Sequence, residues 1–342
     1  MPVSSAPIID VHAHETSVEI AEEFGCPKFI LQQNLLSGLG IATVILSPAI
    51  FSFMCDKWPA ERYAHYCREQ TEYQAEVVRK SPTHRGSFAP LPLQTVDGAL
   101  EALKYCEEML DPKPEGYALT TSVHGNYLGN PFYAPILEDC NRREVVLFVH
   151  PSETVMPTLD QDKFVFSTIE YPQETSRMLM EMIDEGTFVK YPKIKWIFCH
   201  NGGNFPFIFQ RIIRHMTAQN SVGYGGIKAM NNQYDRIGHV NNGMTLQELI
   251  RSSNIYIEGA QGTPAQHTVL KSLGISSDKQ LCGSDLPFTV VGEKTGTLEG
   301  ELHAAKDSGL YSDKELKNIY YGNALKLFPR IAKAWKEANI SS

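Results

Sequence analysis

Ile8-Ile9-Asp10-Val11-His12-Ala13-His14 is a short, almost unbroken apolar run that closes on two histidines. Seven more runs of this kind follow it, at Ala42–Ser47, Gly86–Leu93, Tyr117–Val123, Val145–Pro151, Ile194–His200, Ile255–Ala260 and Gln280–Pro287. Continuous apolarity, in place of strict alternation, marks strands buried on both faces, as in a parallel sheet. Between them lie stretches with helical patterning: Ala60–Arg79, Asp97–Leu110, Tyr133–Arg142, Glu174–Glu185, Phe205–Thr217, Pro264–Leu273 and Asp313–Ala338. Eight strand–helix units predict an α/β chain closed into a (β/α)8 TIM barrel. An open doubly wound sheet would carry a glycine-rich phosphate loop after its first strand. The nearest match, Gly38-Leu39-Gly40, precedes the second strand and lacks the third glycine. No linker, repeat or composition break divides the 342 residues, so a single domain over 1–342 with decorated loops is expected, Ser221–Met244 being a long one.

Composition excludes several classes of function. With 42% hydrophobic and 20% charged residues the chain can bury a large core and is not disordered. Lys+Arg 31 against Asp+Glu 39 gives a net charge of −8, and no basic run exists, which argues against nucleic acid as a partner. The longest apolar stretch, Ile41–Met54, contains Pro48 and falls short of a membrane span. Asp10 and Glu15 interrupt the apolar stretch near the N-terminus, so no secretory signal is read there. Seven scattered cysteines without a CxxC pair fit reduced thiols and a cytoplasmic setting.

Side chains two apart on a strand share a face, so His12 and His14 point the same way, into the barrel. The fifth run ends in His150, the sixth in His200 and the eighth in Asp285, an acid in an otherwise uncharged stretch. Each alone has an ordinary reading, as a core histidine or a loop cap. Together, four of the eight runs end in metal-ligand residue types at the rim where such barrels place their active sites. Three imidazoles and a carboxylate would leave room for a water or a substrate oxygen, a catalytic pattern, whereas closed structural zinc sites favour cysteine.

At this point the chain resembles a family. Asp10-x-His12-x-His14, Phe148-Val149-His150-Pro151, His200-Asn201-Gly202-Gly203-x-Phe205-Pro206-Phe207 and Gly283-Ser284-Asp285-x-Pro287 are similar to the amidohydrolase superfamily, in its decarboxylase branch related to aminocarboxymuconate-semialdehyde and hydroxybenzoate or 6-methylsalicylate decarboxylases. The similarity runs from about Ile8 to Phe328. It implies a metal-dependent, oxygen-independent decarboxylase with His12, His14, His150 and Asp285 as ligands of one divalent ion per subunit, zinc by default and manganese as the other candidate. Relatives with two metals bridge them by a lysine at the end of strand four, and Tyr117–Val123 holds none. The resemblance makes His200 the acid/base residue, with a fifth ligand as its alternative, and leaves the proton on carbon to come from His200 or from a protonated Asp285.

It also implies that Arg211, on the helix after strand six, reaches across a homodimer to the substrate carboxylate. Aminocarboxymuconate enzymes carry a further arginine between strands one and two, where this chain has only Lys28, so a monocarboxylate of hydroxybenzoate type is expected. Candidate apolar walls are Phe51, Phe53, Met54 and Trp58 after strand two, Phe164 and Phe166 after strand five, and Phe288 after Asp285. Asp10 is expected below His12 as a hydrogen-bonding partner, while His124 and Glu258 are left between loop or packing roles and substrate contact. The same metal rim would serve a hydrolase or hydratase acting on a lactone, amide or double bond, which is the alternative reading.

Overall fold

The computed structural model describes residues 6–48, 55–152, 166–217, 241–289 and 298–340, with the backbone alone at 166 and 214–217. Eight parallel strands, Ile8–His14, Ile41–Ser47, Arg85–Pro90, Gly116–Thr120, Val146–His150, Lys195–Phe198, Ile255–Glu258 and Gln280–Leu281, each pair with the next in chain order. The seam between last and first is made without regular strand pairing. Val11 N donates to Cys282 O at 2.9 Å, Asp285 N to His12 O at 2.7 Å and His14 N to Leu286 O at 2.7 Å. Asp10 fastens the same seam, accepting from Ser284 N at 3.0 Å, Ser284 Oγ at 2.5 Å and His12 N at 3.0 Å. Burial nevertheless pushes the Asp10 carboxyl up to about 7. The result is a nearly closed barrel with helices around it, as the strand–helix alternation predicts.

Alternation sorts the interior. The His12 ring meets Phe148 at 5.0 Å, Phe148 stacks on Phe88 at 5.1 Å and 3°, and Phe328 meets Phe88 edge-on at 5.9 Å. Large rings from the first, third and fifth strands therefore fill the barrel beneath the histidines, so it is a packed core and not a pore. On the sixth strand Trp196 and Phe198 turn outward onto Phe188, leaving Cys199 on the inner face.

Several predicted runs overshoot the strands at their C-terminal ends. The third stops at Pro90, the fourth at Thr120, the sixth at Phe198 and the eighth at Leu281, instead of Leu93, Val123, His200 and Pro287. The reason on the sixth and eighth is backbone geometry. His200 (φ 53°), Asn201 (φ 57°) and Asp285 (φ 57°) are left-handed, and that turn takes the chain out of the sheet. On the fourth, Ser122–Val123 pairs instead with Asn126–Tyr127 in a small hairpin.

The predicted closing helix Asp313–Ala338 is broken. Asp313–Lys317 passes through a wider turn at Asn318–Gly322 into Asn323–Leu327, and a separate helix, Pro329–Glu337, follows Phe328 at φ −121°, ψ 81°. Pro329 lacks an N–H and forces its predecessor out of the helical region. The helix predicted at Glu174–Glu185 begins earlier, at Phe166, and ends at Asp184. All seven cysteines are free, six buried and Cys26 half-buried. Among the described residues no helix is long and apolar enough to cross a membrane.

The last helix seals the end of the barrel opposite the histidines. Trp335 Nε1 donates to Thr43 Oγ1 at 2.7 Å, while Arg330 bonds Glu115 at 2.5 Å and Arg85 O at 2.7 Å. Trp335 is 2% exposed, so Trp335→Ala leaves a cavity and removes one of the hydrogen bonds of Thr43 Oγ1, which keeps its bond to Thr83 O at 2.7 Å. The expected loss is about 3–5 kcal/mol, read as a lower urea midpoint at unchanged m-value; a loss under about 1 kcal/mol would show that the helix does not hold the barrel.

Candidate metal centre

Four imidazoles and one carboxylate meet at the mouth of the barrel. His12 Nε2 lies 3.1 Å from His14 Nε2 and 3.2 Å from Asp285 Oδ1, and His14 Nε2 is 3.1 Å from the same oxygen. His200 Nε2 faces the other oxygen, Oδ2, at 3.3 Å. The His150 ring stands 5.3 Å from those of both His12 and His14 and 5.4 Å from that of His200. A donor atom from each of His12, His150, His200 and Asp285 falls within 4.8 Å of the others. All five residues are buried.

The outer nitrogens decide which way the lone pairs point. His12 Nδ1 sits 2.7 Å from Glu258 Oε2, His14 Nδ1 3.0 Å from Pro48 O, and His150 Nδ1 2.8 Å from Pro151 O. With the N–H of each ring donated outward, the Nε2 lone pairs turn toward one another. Two such lone pairs at 3.1 Å, beside an anionic oxygen, repel unless positive charge lies among them. The ionisation pattern agrees. Burial opposes a charged His12, yet Glu258 and Asp285 raise its imidazole to about 10. Burial lowers His14, and burial together with its histidine neighbours holds His150 well below the usual imidazole range. Burial also opposes ionisation of Asp285, but the His12 charge and hydrogen bonds from His12, His14 and His200 keep its carboxyl well below the carboxylate range. The pocket thus favours positive charge among its rings, and the donor set fits a divalent ion.

His200 arrives by a route that strand alternation does not give. Trp196 and Phe198 face outward, so a regular strand would carry His200 outward as well. The left-handed turn at His200 and Asn201 swings its ring back over the mouth. Gly203 (φ 63°) completes that turn, and a Cβ there would stand 2.5 Å from Pro172 O. The second glycine of the strand-six motif is thus needed to pack this turn against the helix Phe166–Asp184, while Gly202 (φ 75°) lies against Ile257.

Other expected site residues are distributed differently. Phe288, 45% exposed, sets its ring 5.3 Å from His14 and 5.1 Å from Phe29, which makes Phe29 a second aromatic at the mouth that sequence reading missed. Trp58 packs on Phe24 and Tyr66 with the Arg62 guanidinium 4.8 Å from its ring centre. Arg211 is exposed on the helix Phe205–Thr217. Phe51, Phe53, Met54 and Phe164, the side chain of Phe166, and most of the loop Ser221–Met244 lie outside the described residues. His124 is exposed, its backbone N–H bonded to Asp56 at 2.6 Å. Asp10 bonds the backbone N–H of His12, not its ring; Glu258 is the partner of the ring. Glu258 carried the same signal as Asp285, a lone acid closing an apolar run. Gln261, whose Nε2 donates to Asp285 Oδ2 at 2.5 Å, carried none.

Comparison with known proteins follows the same line. A family model described as amidohydrolase matches residues 9–330. Decarboxylase macB of Penicillium terrestre is 31% identical over 59% of this chain and 66% of its own length. The 6-methylsalicylic acid decarboxylase acuB of Aspergillus aculeatus is 27% identical over 90% of this chain and 88% of its own. The alignments span less than two thirds of the first curated relatives matched. A dihydroxybenzoic acid decarboxylase from Polaromonas sp. JS666, solved with manganese and the inhibitor 2-nitroresorcinol, has a TM-score of 0.71 at 22% identity, covering 95% of this chain and 97% of that one.

One carboxylate beside the site yields a pH test. Burial, with Asp285 and Glu258 nearby, pushes Glu301 from 4.5 up to about 7 even though Gln261 N donates to it at 3.1 Å. A raised carboxyl stabilises the fold fully below pH 4.5 and loses that contribution as pH climbs through about 7, because the folded chain holds the extra proton across that window. Glu301→Gln, whose amide oxygen can still accept from Gln261, is expected to flatten the fall of the urea midpoint over that range; an unchanged slope would show that Glu301 ionises normally.

Proposed function

This chain belongs to the amidohydrolase family, and on that premise we propose that it is a metal-dependent, oxygen-independent carboxy-lyase acting on an aromatic or unsaturated acid, of hydroxybenzoate monocarboxylate type. The observation that carries the reading is the inward convergence of His12 and His14 Nε2 on Asp285 Oδ1 at 3.1–3.2 Å, with a second aromatic face, Phe288, beside it. The decarboxylase names of its relatives and the manganese of the Polaromonas structure support it. His12, His14, His150 and Asp285 would hold one divalent ion, zinc or manganese, since imidazole suits the first and carboxylate the second. When bound, that ion supplies a positive field against the charge that builds as CO2 departs.

The chain's own residues do the rest. Phe288 and Phe29 give a planar ring an apolar face at the mouth, above the buried histidines and Asp285. As the carbon–carboxylate bond breaks, its electron pair stays on the ring carbon and CO2 leaves. The vacated carbon then takes a proton. Asp285 is held ionised by its neighbours, so we assign that proton to His200 Nε2, which sits 3.3 Å from Asp285 Oδ2. Arg211 acts across a homodimer on the substrate carboxylate in this reading, its exposed place on the helix suiting a partner's site better than its own. The match over residues 9–330 favours one catalytic unit.

Purified protein loaded with zinc or manganese and incubated anaerobically with hydroxybenzoates and muconates should release CO2, and chelation should stop it. Release of a new acid or alcohol without CO2 would move the assignment to a hydrolase or hydratase. His200→Asn should lose about 10²–10⁴-fold in turnover while keeping its metal. Near-normal turnover in that variant would remove His200 from the chemistry.

A further inference from the structure

Glu258 is fully buried at the end of the seventh strand and is spoken for on every side. Its Oε2 accepts from His12 Nδ1 at 2.7 Å and from the backbone N–H of His200 at 3.3 Å, and its Oε1 accepts from Ala260 N. Gly283 lies against it so closely that a Cβ there would stand 1.9 Å from Oε1, so the eighth strand's continuation has room for this carboxylate only because residue 283 is glycine. One oxygen therefore serves two clients that strand geometry does not join. The first is the ring of His12, whose tautomer decides whether Nε2 presents a lone pair or a hydrogen to the centre. The second is the left-handed turn that brings His200 inward, a conformation that a non-glycine residue holds only when its surroundings enforce it.

We infer that Glu258 is a positioning residue that couples the two functions of the site, fixing His12 for the cation and His200 for proton transfer through a single carboxylate oxygen. It touches neither substrate nor ion. With Asp285 it sets a second carboxylate against the rings that would hold a divalent cation. The inference rests on the cation site of the proposed function, and wild-type protein that binds neither zinc nor manganese would overturn that reading before any variant is compared.

The test is Glu258→Gln with three readouts: zinc affinity by chelator competition, turnover at saturating metal, and the Nδ1 proton resonance of His12 in zinc-loaded, histidine-labelled protein. Zinc affinity is expected to fall about 10–100-fold. The His12 Nδ1 proton should move upfield as its carboxylate acceptor is lost, and turnover should stay more than about tenfold down with metal saturating, because one amide oxygen in place of two carboxylate oxygens cannot accept from His12, His200 N and Ala260 N together. Gly283→Ala, which leaves the carboxylate chemically intact but displaces it, should show the same paired losses and carries the test if Glu258→Gln does not fold. Loss of affinity alone, or of turnover alone, overturns the coupling. Unfolding of both variants marks Glu258 as a structural residue and overturns it too. If the wild type binds metal but releases no CO2, the decarboxylase reading fails while affinity and resonance still judge Glu258.

Discussion

Two carboxylates, Asp285 and Glu258, are buried among histidines at the mouth of the barrel, and the rest of the site answers to that fact. A buried anion is tolerated only when it is paired or richly hydrogen-bonded. Glu258 satisfies this with two backbone N–H groups and an imidazole, and Asp285 with three imidazoles and an amide. The imidazoles then face one another at distances that neutral rings do not hold without a cation. Ligand geometry, tautomers and the left-handed turn at His200 are all consequences of placing negative charge where water cannot reach it.

Much of the fold was legible because a parallel strand buried on both faces writes itself as an apolar run, and eight such runs recur at helix-length intervals. The paired histidines were legible because a period of two is enforced wherever a strand is regular. What could not be read was where regularity stops. Asp285 and His200 sit at left-handed residues, and nothing in an Asp or His reveals that its φ will be positive. Expecting His200 at the inner end of a strand reached the right location by the wrong geometry, since the parity of Trp196 and Phe198 would have turned it outward. Pro329 was visible, and the strong helical patterning of the surrounding residues concealed what it does.

The roles of Asp10 and Glu258 show a second limit. Both are lone acids on apolar strands, and only the partners differ. Asp10 meets Ser284 and backbone, and so serves the seam, whereas Glu258 meets a ring nitrogen and so serves the centre. Such partners lie 274 and 246 residues away in the chain, at separations over which no local pattern carries information.

That seam also orders events at the ribosome. The first strand leaves the exit tunnel long before the segment that covers its outer edge, and at about 5–20 residues per second a separation of 274 residues corresponds to roughly 14–55 seconds. For that interval the amides of Val11 and His14 lack the carbonyls of Cys282 and Leu286, and a nascent edge lies open to neighbouring chains. Synthesis of this protein therefore includes a period in which the finished barrel does not yet cover the outer edge of its first strand.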